Sequence, residues 1–102
     1  MIIGTVIQQP KERLDYDLLY EAFFYTYSVS GSPDSIKNDS TGLVASVFPV
    51  GATAVVLRLG DDRAKVWLTG GVSGTTYTVT VTMTSVSTRI KEDEILLIVE
   101  EF

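Results

Sequence analysis

Neither cysteine nor histidine occurs among the 102 residues of this chain. Their absence removes disulfides, thiolate and imidazole nucleophiles, Ser-His triads and the ordinary zinc ligand sets. It leaves the redox compartment open, since it shows only that no cysteine is needed. Basic residues are outnumbered, 8 against 13 acidic, and the net charge of −5 disfavours a nonspecific grip on a nucleic-acid backbone. Long apolar runs are missing as well: nowhere do the roughly 18 apolar residues of a membrane-spanning helix follow one another. The apolar opening, Met1-Ile2-Ile3-Gly4-Thr5-Val6-Ile7, lacks a basic flank and is too short for a signal sequence. A soluble, unprocessed single domain is expected, large enough to fold around one core without covalent staples.

What the sequence does contain is alternation with a period of two. In Thr76–Thr84, Tyr77, Val79, Val81 and Met83 fall on one face and five threonines on the other, the pattern of a strand buried on one side. Ala64, Val66 and Leu68 alternate with Arg63, Lys65, Trp67 and Thr69 in a second strand. The glycine-rich stretch Gly70–Thr75 between them predicts a hairpin from Arg63 to about Ser85. A turn at Gly60-Asp61-Asp62 returns a strand over Ala54–Leu59 onto the same ribbon, with Val55, Leu57 and Leu59 as its inward side chains. Leu43–Val50 reads as a strand ended by Pro49 and Gly51. Ile95–Val99 is a continuous apolar strand, led in by the charged stretch Arg89–Glu94. Leu14–Ser30 mixes helical spacing with strand composition and is read as strand-turn-strand. The polar stretch Ser30–Gly42 is expected to be an exposed, mobile loop cut first by proteases near Lys37. Six or seven short strands in a chain of this length indicate an all-β sandwich or small barrel.

No set of residues assembles into a reactive centre. Gly70-Gly71-Val72-Ser73-Gly74 lacks the Lys-Ser/Thr and the following helix of a phosphate-binding loop, so it reads as a turn. Asp15 and Asp17, like Asp61 and Asp62, lack the further ligands of a calcium loop and read as solvated acids. Trp67 shares the polar face of its strand, either as an anchor for a contact or as a shield over its own sheet. The aromatic residues Tyr16, Tyr20, Phe23, Phe24, Tyr25 and Tyr27 read as core and edge filling, with a sugar platform as the alternative. No catalytic residue, cofactor or metal ligand is expected.

The order of motifs resembles a known family. Val66-Trp67-Leu68-Thr69-Gly70-Gly71-Val72-Ser73-Gly74-Thr75-Thr76-Tyr77-Thr78-Val79-Thr80 is similar to the WLxGGxxGxxYxV signature of a small tailed-phage and prophage family of fibre-tail adaptors. Pro10-Lys11, Leu14-Asp15-Tyr16-Asp17 and Arg89 resemble its flanking segments, so that the likeness runs from Pro10 to Val99. Two departures stand out. Ser85-Val86-Ser87-Thr88-Arg89 lacks the glycine of the family's Thr-Ser/Gln-x-Gly-Arg turn, and Leu19-Tyr20 replaces an aspartate and a tryptophan. The resemblance implies a single Ig-like antiparallel β-sandwich over residues 11–102, preceded by an N-terminal arm or edge strand at 1–10. It also implies a structural role in the virion, connecting fibre-type components to the tail, with no enzyme activity. An Ig-like capsid decoration or host-glycan adhesion module is the alternative.

The partners so implied are other phage structural proteins in the tail, neck or fibres and copies of the chain in a ring, with no nucleic acid or membrane. Candidate contact residues are Ile2, Ile3, Val6, Trp67, Leu96 and Ile98. The reason is that Ile95–Val99 presents apolar side chains on both sides, while a sandwich buries only one. Either the arm, Ile2 to Ile7, laid across its own sheet or a neighbouring copy is expected to cover Leu96 and Ile98. Glu92, Asp93, Glu94, Glu100 and Glu101 would form the charged rim.

Overall fold

The computed structural model describes residues 2–26 and 34–101. Alternating β-branched residues build seven strands: β1 (Ile2–Gln8), β2 (Arg13–Leu19), β3 (Leu43–Phe48), β4 (Ala52–Arg58), β5 (Arg63–Gly70), β6 (Thr75–Thr84) and β7 (Ile90–Val99). One short helix, α1 (Glu21–Thr26), follows β2. Two sheets form, in the orders β1-β7-β6-β3 and β2-β5-β4. With β7-β6-β3 in the places of strands G, F and C and β2-β5-β4 in those of B, E and D, this is the strand order of an immunoglobulin-type sandwich. The ladders are antiparallel except at one edge, where β1 runs parallel to β7. Between the sheets lie Leu18, Ala64, Val66 and Leu68 from one side and Tyr77, Val79, Val81, Met83, Ile95, Leu97 and Val99 from the other. The faces of β5 and β6 are therefore as their alternation predicts, with Thr78, Thr80 and Thr82 more exposed than their buried neighbours.

Five local expectations are corrected. β5 and β6 are not a hairpin: β5 pairs with β2 and β4, whereas β6 pairs with β3 and β7. The glycines between them carry the chain from one sheet to the other, with φ of 78°, 109° and 86° at Gly70, Gly71 and Gly74. β4 does return onto β5, but Ala52, Ala54 and Val56 face the core while Val55, Leu57 and Leu59 are about half exposed. Both parities of that strand are apolar, so composition does not choose between them. The partner does, because Val56 lies opposite buried Val66 and Ala54 opposite buried Leu68.

The segment after β2 turns into α1 rather than a second strand, and Tyr20 and Phe24 fill one end of the core from there. Positions 27–33, with the start of the Ser30–Gly42 stretch, lie outside the described residues. Of the rest, 38–41 are exposed as expected, but 35–37 are anchored. Ile36 is fully buried and bridges to Ser85; its N–H donates to Asp61 O at 2.8 Å, that of Lys37 to Thr84 O at 3.0 Å, and that of Val86 to Ser35 O at 2.8 Å. The charged stretch before Ile95 is part of β7 itself, and Asp93 points inward, only 4% exposed, with Lys91 Nζ at 2.7 and 2.8 Å from its two oxygens. Asp93 is thus a buried carboxylate paired with the partly exposed Lys91, not part of a surface rim. Pairing supplies the compensation that a charge at the end of a core requires.

Candidate interaction surfaces

Each sheet has one face in the core, and the other two faces carry the side chains left over. On the four-stranded sheet, Leu96 lies beside Thr5 and Thr78, and Ile98 beside Ile7 and Thr76. Phe48 is opposite Thr78 and is 77% exposed. Ile7, Leu96, Ile98 and Phe48, interleaved with threonine methyl groups, make this end of the face apolar. The other end is acidic: Glu94 pairs across with Thr80 and Glu92 with Thr82. β1 sits at the edge beside β7 and does not lie across this face. Its inward residues Ile3 and Val6 pack against the core instead.

The outer face of the three-stranded sheet is organised around Trp67. Asp15 and Val55 are its cross-strand neighbours, and Lys65 lies between Asp17 and Leu57. The Arg13 guanidinium stacks 4.1 Å from the Trp67 ring centre and the Lys65 ammonium is 5.6 Å from it. Lys65 Nζ reaches Asp15 at 2.9 Å and Asp17 at 3.6 Å. Its hydrogen bond holds the Asp15 carboxyl below the usual range, and the same bond holds Lys65 above its own. Trp67 is thus half covered by its own sheet's cations. Beyond it, Val55, Leu57 and Leu59 form an apolar column along the edge strand β4.

Polar groups elsewhere tie the frame together. The Val72 N–H donates to the Tyr77 hydroxyl at 2.9 Å, which locks the sheet-to-sheet passage onto the first turn of β6. Tyr16 reaches from β2 to donate to Ile3 O at 2.8 Å, and Gly4 leaves room for its ring: a Cβ there would stand 2.3 Å from the hydroxyl. At the opposite end Asp34 accepts from the Ser87 hydroxyl, from the Ser87 N–H at 3.2 Å and from the Ser35 N–H at 2.9 Å, with Arg89 Nη1 at 3.5 Å. Burial pushes this carboxyl up, but the hydrogen bonds from Ser85, Ser87 and Ser35 outweigh it and hold it at about 2. Three buried polar atoms have no hydrogen-bond partner among the described residues, Gln8 Oε1, the Tyr20 hydroxyl and Arg58 Nε; burial and then the Asp93 charge push the Tyr20 phenol up.

Among the described residues no group of three or more acidic side chains converges as a metal site, and no helix is long and apolar enough to cross a membrane. Of the candidate contact residues, Ile2, Trp67, Leu96 and Ile98 lie on outer surfaces, Trp67, Leu96 and Ile98 only in part. The structure splits them: Ile2, Leu96 and Ile98 belong to one sheet, Trp67 to the other. Phe48 is an exposed apolar residue that the sequence reading did not single out, Ile7 was counted only as part of the arm, and Val55 and Leu57, read as inward, are exposed. Phe48 carried a signal, a large aromatic next to Pro49 at a strand end. Val55 and Leu57 carried none that distinguished them from core.

A seven-stranded sandwich whose polar groups fasten turns and whose outer faces mix apolar and charged patches is an all-β structural module. The chain belongs to the podophage GP4 fiber-tail adaptor protein gp77 family, whose sequence profile matches residues 8–98. It is thereby a member of a family of structural proteins of bacteriophage tails. No curated protein matches the sequence.

Proposed function

We propose that this protein is a component of the phage virion that joins fibre-type proteins to the tail through surface complementarity, without catalysis. The family match over residues 8–98 carries the reading. The outer sheet faces support it. The apolar end of the four-stranded sheet, with Ile7, Phe48, Leu96 and Ile98, is suited to a partner protein or to another copy of the chain in a ring, and Glu92 and Glu94 supply a polar margin. Trp67 offers a second, independent contact on the opposite side. The alternative, a glycan-binding module, is less well supported, since the stacked Arg13 occupies a face of the Trp67 ring that a sugar platform would need.

The test is to purify intact particles and locate the protein by antibody labelling. It should be found at the junction of tail and fibres, in a copy number that matches the symmetry there. Particles that lack the protein would overturn the reading.

A further inference from the structure

The four-stranded sheet ends in β1 on one side and in β3 on the other. At the start of β3 the Thr84 N–H donates to Gly42 O at 2.8 Å, and the antiparallel register then runs unbroken to Phe48 opposite Thr78. Hydrogen-bonded positions alternate along such a ladder, so Val44, Ser46 and Phe48 aim their N–H and C=O groups at β6. Leu43, Ala45 and Val47 aim theirs away from the sheet, and those groups have no hydrogen-bond partner among the described residues.

A row of unpaired backbone groups is a template for another strand, and edges are ordinarily guarded by charge, a bulge or a cover. The other three edges have such guards. β2 carries Arg13, Asp15 and Asp17, and β4 ends in Arg58, which is paired with Asp61. β1 is uncharged, but its register shifts between Ile2 and Gly4, and the Tyr16 hydroxyl occupies Ile3 O. β3 has neither a charged residue nor a bulge. Its inward side chains, Leu43, Ala45 and Val47, are only partly buried, so the core is open along this flank.

We propose that β3 pairs antiparallel with β3 of a second copy about a twofold axis at Ala45, joining the two four-stranded sheets into one. The added strand must be uncharged and apolar toward both faces, because it lies between the partly buried row and exposed Val44 and Phe48. β3 itself meets that requirement, and its register is self-complementary. With the two Ala45 residues opposite each other, Leu43 of each copy falls opposite Val47 of the other. Every outward-aimed position is then used, each opposed pair exchanging both backbone hydrogen bonds. On the inward side the small residues meet at the axis and the larger ones flank it; on the outer side Val44 lies opposite Ser46. Each copy carries a net charge of −5, and this seam joins them where neither strand is charged. The pairing rests on the edge and not on the adaptor reading, and it leaves the outer face free for a tail or fibre partner.

The experiment is analytical ultracentrifugation of the full chain over a concentration series, with amide hydrogen exchange by NMR at both ends of the series. A monomer–dimer equilibrium is expected. As dimer accumulates, the amides of Leu43, Ala45 and Val47 should gain protection, while those of Val44, Ser46 and Phe48 keep what β6 already gives them. Ser46→Lys and Ser46→Glu each place a charge on the exposed face, diagonal to its counterpart across the axis. Each alone should weaken the dimer at least tenfold with the circular dichroism unchanged, and mixing the two variants should restore it as a heterodimer. A monomer at every concentration, a dimer indifferent to Ser46→Lys, or slow exchange at 43, 45 and 47 already in the monomer would overturn the proposal. Absence of the protein from virions would remove the adaptor reading and leave this result standing.

Discussion

Thr88 is the one described residue other than glycine with positive φ, at 70°. It occupies the position where the resembling family has glycine, in the turn before the last strand. A β-branched residue there bears the strain of a left-handed conformation. Thr88→Gly should raise stability by about 1 kcal/mol, the relief of strain exceeding the added unfolded-state entropy of glycine. The urea midpoint measures it. Two tyrosines make a matched pair of tests. Tyr20→Phe removes a buried hydroxyl that has no partner among the described residues and should be neutral or stabilising, whereas Tyr77→Phe leaves the Val72 N–H without its acceptor and should cost about 1 kcal/mol. Equal effects at the two positions would refute the assignment of these hydroxyls.

Asp34 provides the pH dependence. Its folded pKa of about 2 lies below the ordinary 3.8, so its contribution to stability is fully present above about pH 4 and is lost as pH falls through 2. Urea midpoints of the wild type and Asp34→Asn should accordingly differ most above pH 4 and converge near pH 2.

At the scale of elements, Ile36 ties the stretch 34–42 to the core. Ile36→Ala should cost about 2–4 kcal/mol through the cavity it leaves beneath the loop. Trypsin should cut wild type only slowly at Lys37, since opening the loop means breaking the backbone bonds at Ile36, Lys37 and Val86 together, and should cut there far faster in the variant. Along β6, Val79→Ala should cost about 1–3 kcal/mol and Thr80→Ser little, because only the first faces the opposite sheet. Equivalent losses at both would mean that the threonine face is covered as well.

For the whole molecule, the decisive contrast is between Leu97, which is core, and Leu96 and Ile98, which are on the outer face of the same strand. Replacing Leu96 and Ile98 together by lysine should leave the isolated domain folded by circular dichroism yet exclude it from particles. Unfolding of the monomer would show these side chains to be indispensable to the sandwich itself, and the contact surface would then lie at Trp67 and the loops. The unprotected edge strands reinforce this picture: β1, Ile2–Gln8, and β3, Leu43–Phe48, carry no charged residue, whereas β2 carries Arg13, Asp15 and Asp17.

Strand content and the buried faces of β5 and β6 were legible in the sequence alone, because alternation is a local property. The family was legible for a related reason: the three glycines and Tyr77 of its motif perform one local task, the passage between sheets and its hydrogen-bonded lock. Which sheet each strand joins was not. A glycine-rich connection suits a hairpin and an inter-sheet passage equally, and only the competition among β2, β3, β4 and β7 for pairing edges assigned β5 and β6 to different layers. The same holds for β4, apolar on both parities, whose inward face was chosen by its register with β5. Ile36, a lone apolar residue in a polar stretch, found its place because the Asp61 turn and the end of β6 converge there.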